Sequence, residues 1–374
     1  MDIKAPISSP GTTHHEVFRR AGVFAAWPAN YGLWSWGHEV LVVFAVGRMG
    51  AKGEIHELDR GHPFTPCQAR SHNGGRTWSI EEFKGLLPGG TSLSADEHLD
   101  DPLQIRPRID ARVDLIALEL PIDFLDPETI LMCARTGLAE GSVSWFYVSE
   151  SRGRQWNGPY AFSGLGLPVA ARTDVVPLGN HDALFMLTTS KGDGTEGRPF
   201  CARTRDGGRL FEFVNFIGEE PDGYRIMPSS AMLNDGTIVT ATRCYGKISG
   251  KGWIEVFASD DQGASWRSMG VGVENTGEEG NPPAVVKYGD RGLVLAYGFR
   301  DRPFGIRMRT SGDGGRTWSD EFVLRDDGGT PDLGYPRIVP ISDRGILVVY
   351  YFNDGAQRER YIAATLFDLP QPPE

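Results

Sequence analysis

The chain has 374 residues, of which 40% are hydrophobic, enough to bury a large core, and its net charge of −11 argues against a nucleic-acid partner because a phosphate backbone needs a basic surface. Of the 38 basic residues only seven are lysine, so 31 are arginine, whose planar fork suits carboxylates and phosphates; a GC-rich genome is the bland alternative for that excess. Cys67, Cys133, Cys201 and Cys244 lie far apart without metal-ligand spacing and read as free buried thiols.

No run of twenty apolar residues is present, and the N-terminus has no signal-type apolar segment, so no membrane association is expected. The default expectation is a cytoplasmic protein, or a secreted or periplasmic one if a leader has been removed.

In chain order, residues 1–13, with Pro6, Ser8, Ser9, Pro10 and Gly11, read as a loose arm ahead of a single domain spanning 14–374. Glu16-Val17-Phe18 reads as a lone strand, and the stretch from Phe24 to Trp36 is aromatic-rich. Five near-copies then recur: Ser71 to Trp78, Ser149 to Trp156, Thr204 to Phe211, Ser259 to Trp266 and Ser311 to Trp318. They start at 71, 149, 204, 259 and 311, and share the formula Ser/Thr-x-Asp-x-Gly-x-Thr/Ser-aromatic, loosened at Asn73, Ser151, Gln155 and Leu210.

Each part of the formula has a mechanical use in a hairpin tip. The Asp or Asn side chain bonds its own downstream backbone, glycine supplies a positive φ, and the aromatic packs the tip onto a neighbouring layer. Trp78, Trp266 and Trp318 are accordingly expected to be largely buried. A second series, Asn234-Asp235-Gly236, Asp290-Arg291-Gly292 and Asp343-Arg344-Gly345, marks another hairpin in register with the first.

A repeat near fifty residues with strands on both sides of each box predicts an all-β ring of four-stranded antiparallel sheets, a six-bladed β-propeller. The blades fall at about 31–83, 105–160, 171–214, 225–269, 282–324 and 334–368, with 84–104 as a surface-loop insertion. The sixth blade has no box because its fourth strand comes from the other chain end. Tyr361 to Phe367 should therefore be a third strand, with residues near Val17 closing the ring beside it.

The five repeats resemble the Asp-box repeats of the sialidase (neuraminidase) superfamily, whose members are six-bladed propellers with the active site on the face away from the boxes. The corresponding face here collects Trp34, Trp36, Gly53 to Pro66, Arg106 to Arg108, Arg172, Asp174, Lys191 to Arg198, and Arg225 to Ser229. Later blades add Arg243 to Lys251, Asn281, Arg300 to Phe304, Tyr335 to Arg337 and Asn353 to Arg360. A funnel rich in arginine and aromatics suits the end of a sugar chain.

The resemblance implies that Asp59 is the acid/base, that Tyr335 is the nucleophile, and that Arg243 is one of three carboxylate-binding arginines, with Arg300, Arg302 or Arg307 as another. Trp36, His56, Arg60, Arg172, Arg198, Arg225 and Arg337 complete the expected substrate-binding set. His56 and His62 flank Asp59 and Arg60, and together they form a set suited to proton transfer near neutral pH.

The chain departs from the superfamily pattern in two places. The Arg-Ile-Pro that opens the first blade there is replaced by Leu33-Trp34-Ser35-Trp36, and the glutamate that activates the tyrosine would fall near Met227. These departures predict poor cleavage of sialosides.

The expected activity is exo-cleavage of a terminal, acidic sugar from an oligosaccharide or polysaccharide. Elimination beside a uronate, by a neutral His or Tyr with arginines neutralising the carboxylate, is the runner-up, and a non-catalytic glycan-binding propeller is the third reading. Nothing in the sequence demands a cofactor or metal, although propeller loops hold calcium without a linear motif. Oligomeric state is not legible.

Overall fold

The computed structural model describes residues 11–51, 56–88, 98–100, 114–137 and 142–369, and the backbone of a two-residue strand, β1 (Ile7–Ser8). Six sheets form the six blades of a β-propeller. The first blade follows β2 (Thr13–Phe18) and contains β3 (Val23–Ala26), the one-turn helix α1 (Pro28–Tyr31), β4 (Gly32–Trp36), β5 (Glu39–Arg48), β6 (Thr65–Ser71) and β7 (Ser79–Glu82). Its inner edge is split: β3 and β4 both pair with β5, on either side of α1.

The second blade shows β8 (Ile130–Arg135), β9 (Ser144–Ser149) and β10 (Asn157–Ala161). Arg106 to Arg108 lie outside the described residues. The third blade is β11 (Val175–Gly179), β12 (Asp182–Ser190), β13 (Glu196–Thr204) and β14 (Glu212–Phe216), and the fourth is β15 (Tyr224–Met232), β16 (Ile238–Tyr245), β17 (Lys251–Ser259) and β18 (Arg267–Glu278).

Blade five is β19 (Pro283–Tyr288), β20 (Gly292–Phe299), β21 (Gly305–Ser311) and β22 (Phe322–Arg325), and blade six is β23 (Gly334–Pro340), β24 (Gly345–Phe352) and β25 (Tyr361–Asp368). The second strand of a blade reads as an almost unbroken apolar run, such as Val40 to Ala45 in β5, because neighbouring blades cover both of its faces.

Ring closure follows the repeat logic. β2 lies antiparallel to β25, with Thr13 opposite Leu366 and Phe18 opposite Ile362, so the blade without a box takes its outer strand from the N-terminal segment. Part of the arm is itself paired, since β1 runs parallel to β22. All four cysteines are buried and unbridged.

The five repeat hairpins share one wiring. The first-position hydroxyl accepts the backbone N–H four residues on: Gly75 to Ser71 at 2.9 Å, Gly153 to Ser149 at 2.8 Å, Gly208 to Thr204 at 2.7 Å, Gly263 to Ser259 at 2.8 Å and Gly315 to Ser311 at 2.9 Å. The third-position side chain then accepts the N–H of position seven, as Asp313 does from Thr317 at 3.0 Å; Ser151 does the same from Gln155 at 3.1 Å, which explains why it tolerates the loss of Asp.

The hairpin aromatics differ in one respect from expectation. Trp156 and Phe211 are buried, at 5% and 2% exposure, whereas Trp78, Trp266 and Trp318 are only half-buried. Trp156 packs against Trp34 and Phe83, and Phe211 sits among Phe146, Phe162 and Phe185. Trp78 instead bonds the Gly75 carbonyl of its own tip through Nε1 at 2.9 Å, leaving one ring edge in solvent.

This contrast sets an order of stabilities. Phe211→Ala and Trp156→Ala should each cost about 3–5 kcal/mol in urea unfolding, and Trp78→Ala and Trp318→Ala less than half of that. Equal losses at all four positions would contradict the packing described.

Candidate functional site

The site begins with a glycine. A Cβ on Gly334, which has φ +106°, would lie 2.4 Å from the Asn281 amide, so only glycine lets Asn281 approach. Asn281 then donates to the Leu333 carbonyl at 2.9 Å and accepts the Tyr335 N–H at 2.9 Å, fixing the start of β23. Tyr335 itself is held at φ +49°.

The Tyr335 hydroxyl accepts a hydrogen bond from Arg243 Nη1 at 2.9 Å, while Arg243 Nη2 donates to the Glu279 carbonyl at 2.6 Å. Arg243 comes from β16, and Met227, in an irregular step of β15, places its sulfur 3.9 Å from Nη1. Met227 also packs in a small cluster with Ala29, Ile226 and Tyr335.

Backbone strain gathers around this contact. Among the described residues six non-glycine positions have positive φ; Arg152 and Gln262 belong to repeat hairpins, and the other four are Trp27, Met227, Glu279 and Tyr335. Such conformations cost of order 1–3 kcal/mol each and persist where surrounding structure over-determines them, typically at functional sites. Trp27, Glu279 and Tyr335 line one pocket of about 420 Å³, and Met227 touches its floor.

The pocket wall also carries His56, His98, Asn30, Arg172 and Tyr224. His56 Nδ1 bonds Asp332 Oδ1 at 2.7 Å, and the buried Asp332 also accepts Tyr351 OH at 2.9 Å and Arg360 Nε at 2.7 Å. Burial alone would favour its protonated form, but His56, Arg360 and Arg300 outweigh that and hold Asp332 below the usual carboxylate range. Trp27 is buried and stacks on His98 with centroids 4.8 Å apart, which packs the two rings into the pocket wall.

The same competition acts on Tyr335. Burial opposes its ionisation, yet the Arg243, Arg300 and Arg172 guanidiniums together prevail and place the phenol below its ordinary value. Asn30 Oδ1, Arg172 Nε and Arg243 Nε are buried without a protein partner among the described residues, leaving polar capacity at the wall.

The expected residues divide sharply. Tyr335, Arg243, Arg172 and His56 meet at the pocket, and Arg300 lies beneath it, with its guanidinium 5.7 Å from the Tyr335 ring. Arg172 is paired with Glu196 at 2.5 Å. Asp59 and His62 bond each other at 2.7 Å, and His62 Nε2 lies 2.8 Å from Arg48, so this pair sits beside the pocket wall and is not part of it. Arg60 bonds the His98 carbonyl at 3.3 Å and so anchors the segment carrying that ring.

Trp36 is a correction. It ends β4 beside the Gly37-His38 turn on the hairpin face, where Nε1 donates to the Pro127 carbonyl at 2.6 Å and Arg152 of a repeat hairpin lies 5.2 Å from the ring. The turn of helix in α1 moves the pocket wall back to Trp27.

Five other expected arginines do not line the pocket. Arg198 pairs with Glu220 and covers Phe216, and Arg225 pairs with Glu255. Arg302 is exposed against Phe304, and Arg307 is buried against Glu321. Arg337 joins the Ala29 and Thr173 carbonyls across the ring centre.

Sequence reasoning missed Trp27, Asn30, Asp332 and the carbonyl of Glu279. It also took 84–104 as a plain surface loop, whereas His98 of that insertion reaches the pocket. Among the described residues no group of His, Cys, Asp and Glu is arranged to hold a metal ion.

The sequence matches no protein-family model, and no curated relative is found. Solved structures share the ring. A protein of unknown function from Dyadobacter fermentans superposes with a TM-score of 0.72 at 21% identity, over 96% of this chain and 100% of the other. The Penicillium chrysogenum alpha-L-arabinanase complexed with arabinobiose gives 0.60 at 13% over 97% and 99%, and the NanB sialidase from Streptococcus pneumoniae 0.60 at 12% over 96% and 70%. At these identities the likeness is one of fold.

One titration prediction comes from the ring centre. Asp174 is buried and accepts Ser230 N at 3.0 Å and Oγ at 2.7 Å; burial pushes it up to about 7, against those bonds and Arg337. Its folded value is above the unfolded one, so its contribution favours the fold below about pH 4 and is lost as pH rises to about 7. Asp174→Asn should flatten the fall in Tm between those limits. A variant whose Tm follows the wild-type curve throughout would refute this.

Proposed function

We propose that the protein is an exo-acting carbohydrate-active enzyme that cleaves a terminal acidic sugar, with Tyr335 as nucleophile and Arg243 and Arg172 as the cationic wall for the sugar carboxylate. The observation that carries this reading is the Tyr335–Arg243 hydrogen bond in the pocket, surrounded by strained backbone. The phenol lies below its ordinary value through guanidiniums, so it has a route to the nucleophilic form without a neighbouring glutamate. Asn30 offers an unpartnered acceptor at the pocket wall.

In hydrolysis the Tyr335 oxygen attacks the anomeric carbon, and Arg243 holds the developing charge on that oxygen before and after attack. Asp59, the acid implied by sequence, turns its carboxylate to His62 and the Gly61 N–H. The shared ring with a sialidase and an arabinanase supports carbohydrate chemistry coarsely.

A second reading, elimination beside a uronate, is favoured by one observation. Met227 stands where a glutamate would activate the tyrosine, and elimination needs only a base at C5 and a neutralised carboxylate.

A panel of sialosides, uronate-capped oligosaccharides and oligosaccharides carrying a 4-O-glycosylated uronate, followed by reducing-end release and by ultraviolet absorbance, tests both, because only elimination at a 4-O-glycosylated uronate leaves an absorbing unsaturated uronate. Uronate-capped substrates should be cleaved faster than sialosides, and Tyr335→Phe should lower turnover by about a hundredfold or more. Rapid sialoside hydrolysis that survives Tyr335→Phe would defeat this assignment.

A further inference from the structure

We propose that His56, oriented by the buried Asp332, is the proton donor and acceptor of this site, in the place that the superfamily resemblance gives to Asp59; the inference rests on the carbohydrate reading above. The two candidates stand on one loop but face different surroundings. Asp59 is a third exposed, is bonded to His62 Nδ1 at 2.7 Å and to the Gly61 N–H at 2.9 Å, and does not line the pocket. His56 lines it, with a side chain 13% exposed.

Three contacts fix the His56 ring edge-on: Trp27 at 5.7 Å, His98 at 5.1 Å and Phe24 at 6.4 Å between centroids. Its Nδ1 is committed to Asp332, so Nε2 is the atom left to exchange a proton with a ligand. A carboxylate behind the ring sets the tautomer and the ring orientation, the division of labour seen in acid–base dyads generally.

Asp332 is suited to that positioning role because its other bonds keep it charged: Arg360 on one oxygen, Tyr351 beside His56 on the other, and Arg300 bonded to the same Tyr351 hydroxyl at 3.1 Å. The remaining charged or titratable groups facing this ring are His98 on the inserted loop, Tyr335 on β23 and Glu57 on the same loop as His56, whose carboxylate pairs with Arg358 and Arg360.

The attacking species is the Tyr335 phenolate, and His56 begins as the imidazolium. As the phenolate oxygen forms a bond to the anomeric carbon, the bond from that carbon to the leaving oxygen breaks, its electron pair stays on that oxygen, and the Nε2 proton of His56 neutralises it. Water then attacks the anomeric carbon, gives a proton to Nε2, and Tyr335 departs as phenolate. In elimination the same proton goes to the leaving oxygen at C4 while Tyr335 takes the C5 proton.

The test compares leaving groups. With an oligosaccharide, whose leaving oxygen needs a proton, His56→Ala and the ring-mimicking His56→Gln should lose about a hundredfold or more in turnover. With a p-nitrophenyl glycoside of the same sugar, whose leaving group departs unprotonated, both should lose less than about tenfold, whereas Tyr335→Phe should fail on both substrates. Asp59→Asn should stay within about threefold of wild type on the oligosaccharide, a change under 1 kcal/mol in the barrier.

Asp332→Asn should reproduce the leaving-group pattern of His56→Gln, with a larger loss on the oligosaccharide than on the p-nitrophenyl glycoside, which loss of packing alone would not do. Activity that needs Tyr335 but survives His56→Gln on the oligosaccharide, or a leaving-group pattern shown by Asp59→Asn instead, overturns this inference and leaves the site reading standing. A wild-type protein inert toward every glycoside overturns both.

Discussion

Arg243 is a buried cation with no carboxylate within ion-pair distance among the described residues, and the pocket takes its form from that demand. A buried guanidinium without partners would be strongly destabilising, so each of its neighbours is recruited as an acceptor or a π face. The Glu279 carbonyl takes one hydrogen bond, Tyr335 takes another, and the Tyr224 and Tyr335 rings lie 5.3 and 5.7 Å from the guanidinium carbon. To present that carbonyl and that phenol, Glu279 and Tyr335 adopt positive φ, so the strain at the site and its electrostatics have one origin. The same field that the phenol helps to satisfy lowers its own cost of ionisation.

The ring supports this arrangement from several directions at once. Arg243 comes from blade four, Tyr335 from blade six, Asn281 from the strand start of blade five, and His56 from the loop between the second and third strands of blade one. Asp332 ties His56 to Arg360 and Tyr351, and Arg337 ties α1 to the start of blade three. Closure by β2 against β25 therefore matters to the pocket, because blades one and six place His56 and Tyr335 on one wall.

The ring was legible because repetition is legible: the hairpin formula recurs with backbone chemistry that each repeat reproduces, down to the hydroxyl that accepts the glycine N–H. Tyr335, Arg243 and His56 were legible because strand counting places the starts of inner strands and the loops between second and third strands on one face. Trp36 went astray because β4 is preceded by α1, so counting from the turn stops one helical turn short of Trp27.

Arginine abundance also misled, since a fork that grips a ligand carboxylate grips Glu220 or Glu255 equally well, and residue type gives no direction. Asp332 stands in the segment before β23, and no local pattern marks it. The role of Glu279 is played by its backbone, which no side-chain motif encodes.

The central claim is that guanidiniums alone activate the Tyr335 phenol. Labelling tyrosine at Cζ with carbon-13, assigning Tyr335 by its Phe variant and titrating the folded protein would measure this directly. The account predicts that Tyr335 ionises below the ordinary tyrosine value of 10.0 and that Arg243→Met moves it upward. A Tyr335 that titrates at or above that value in the wild-type protein, unchanged when Arg243 is removed, would contradict it.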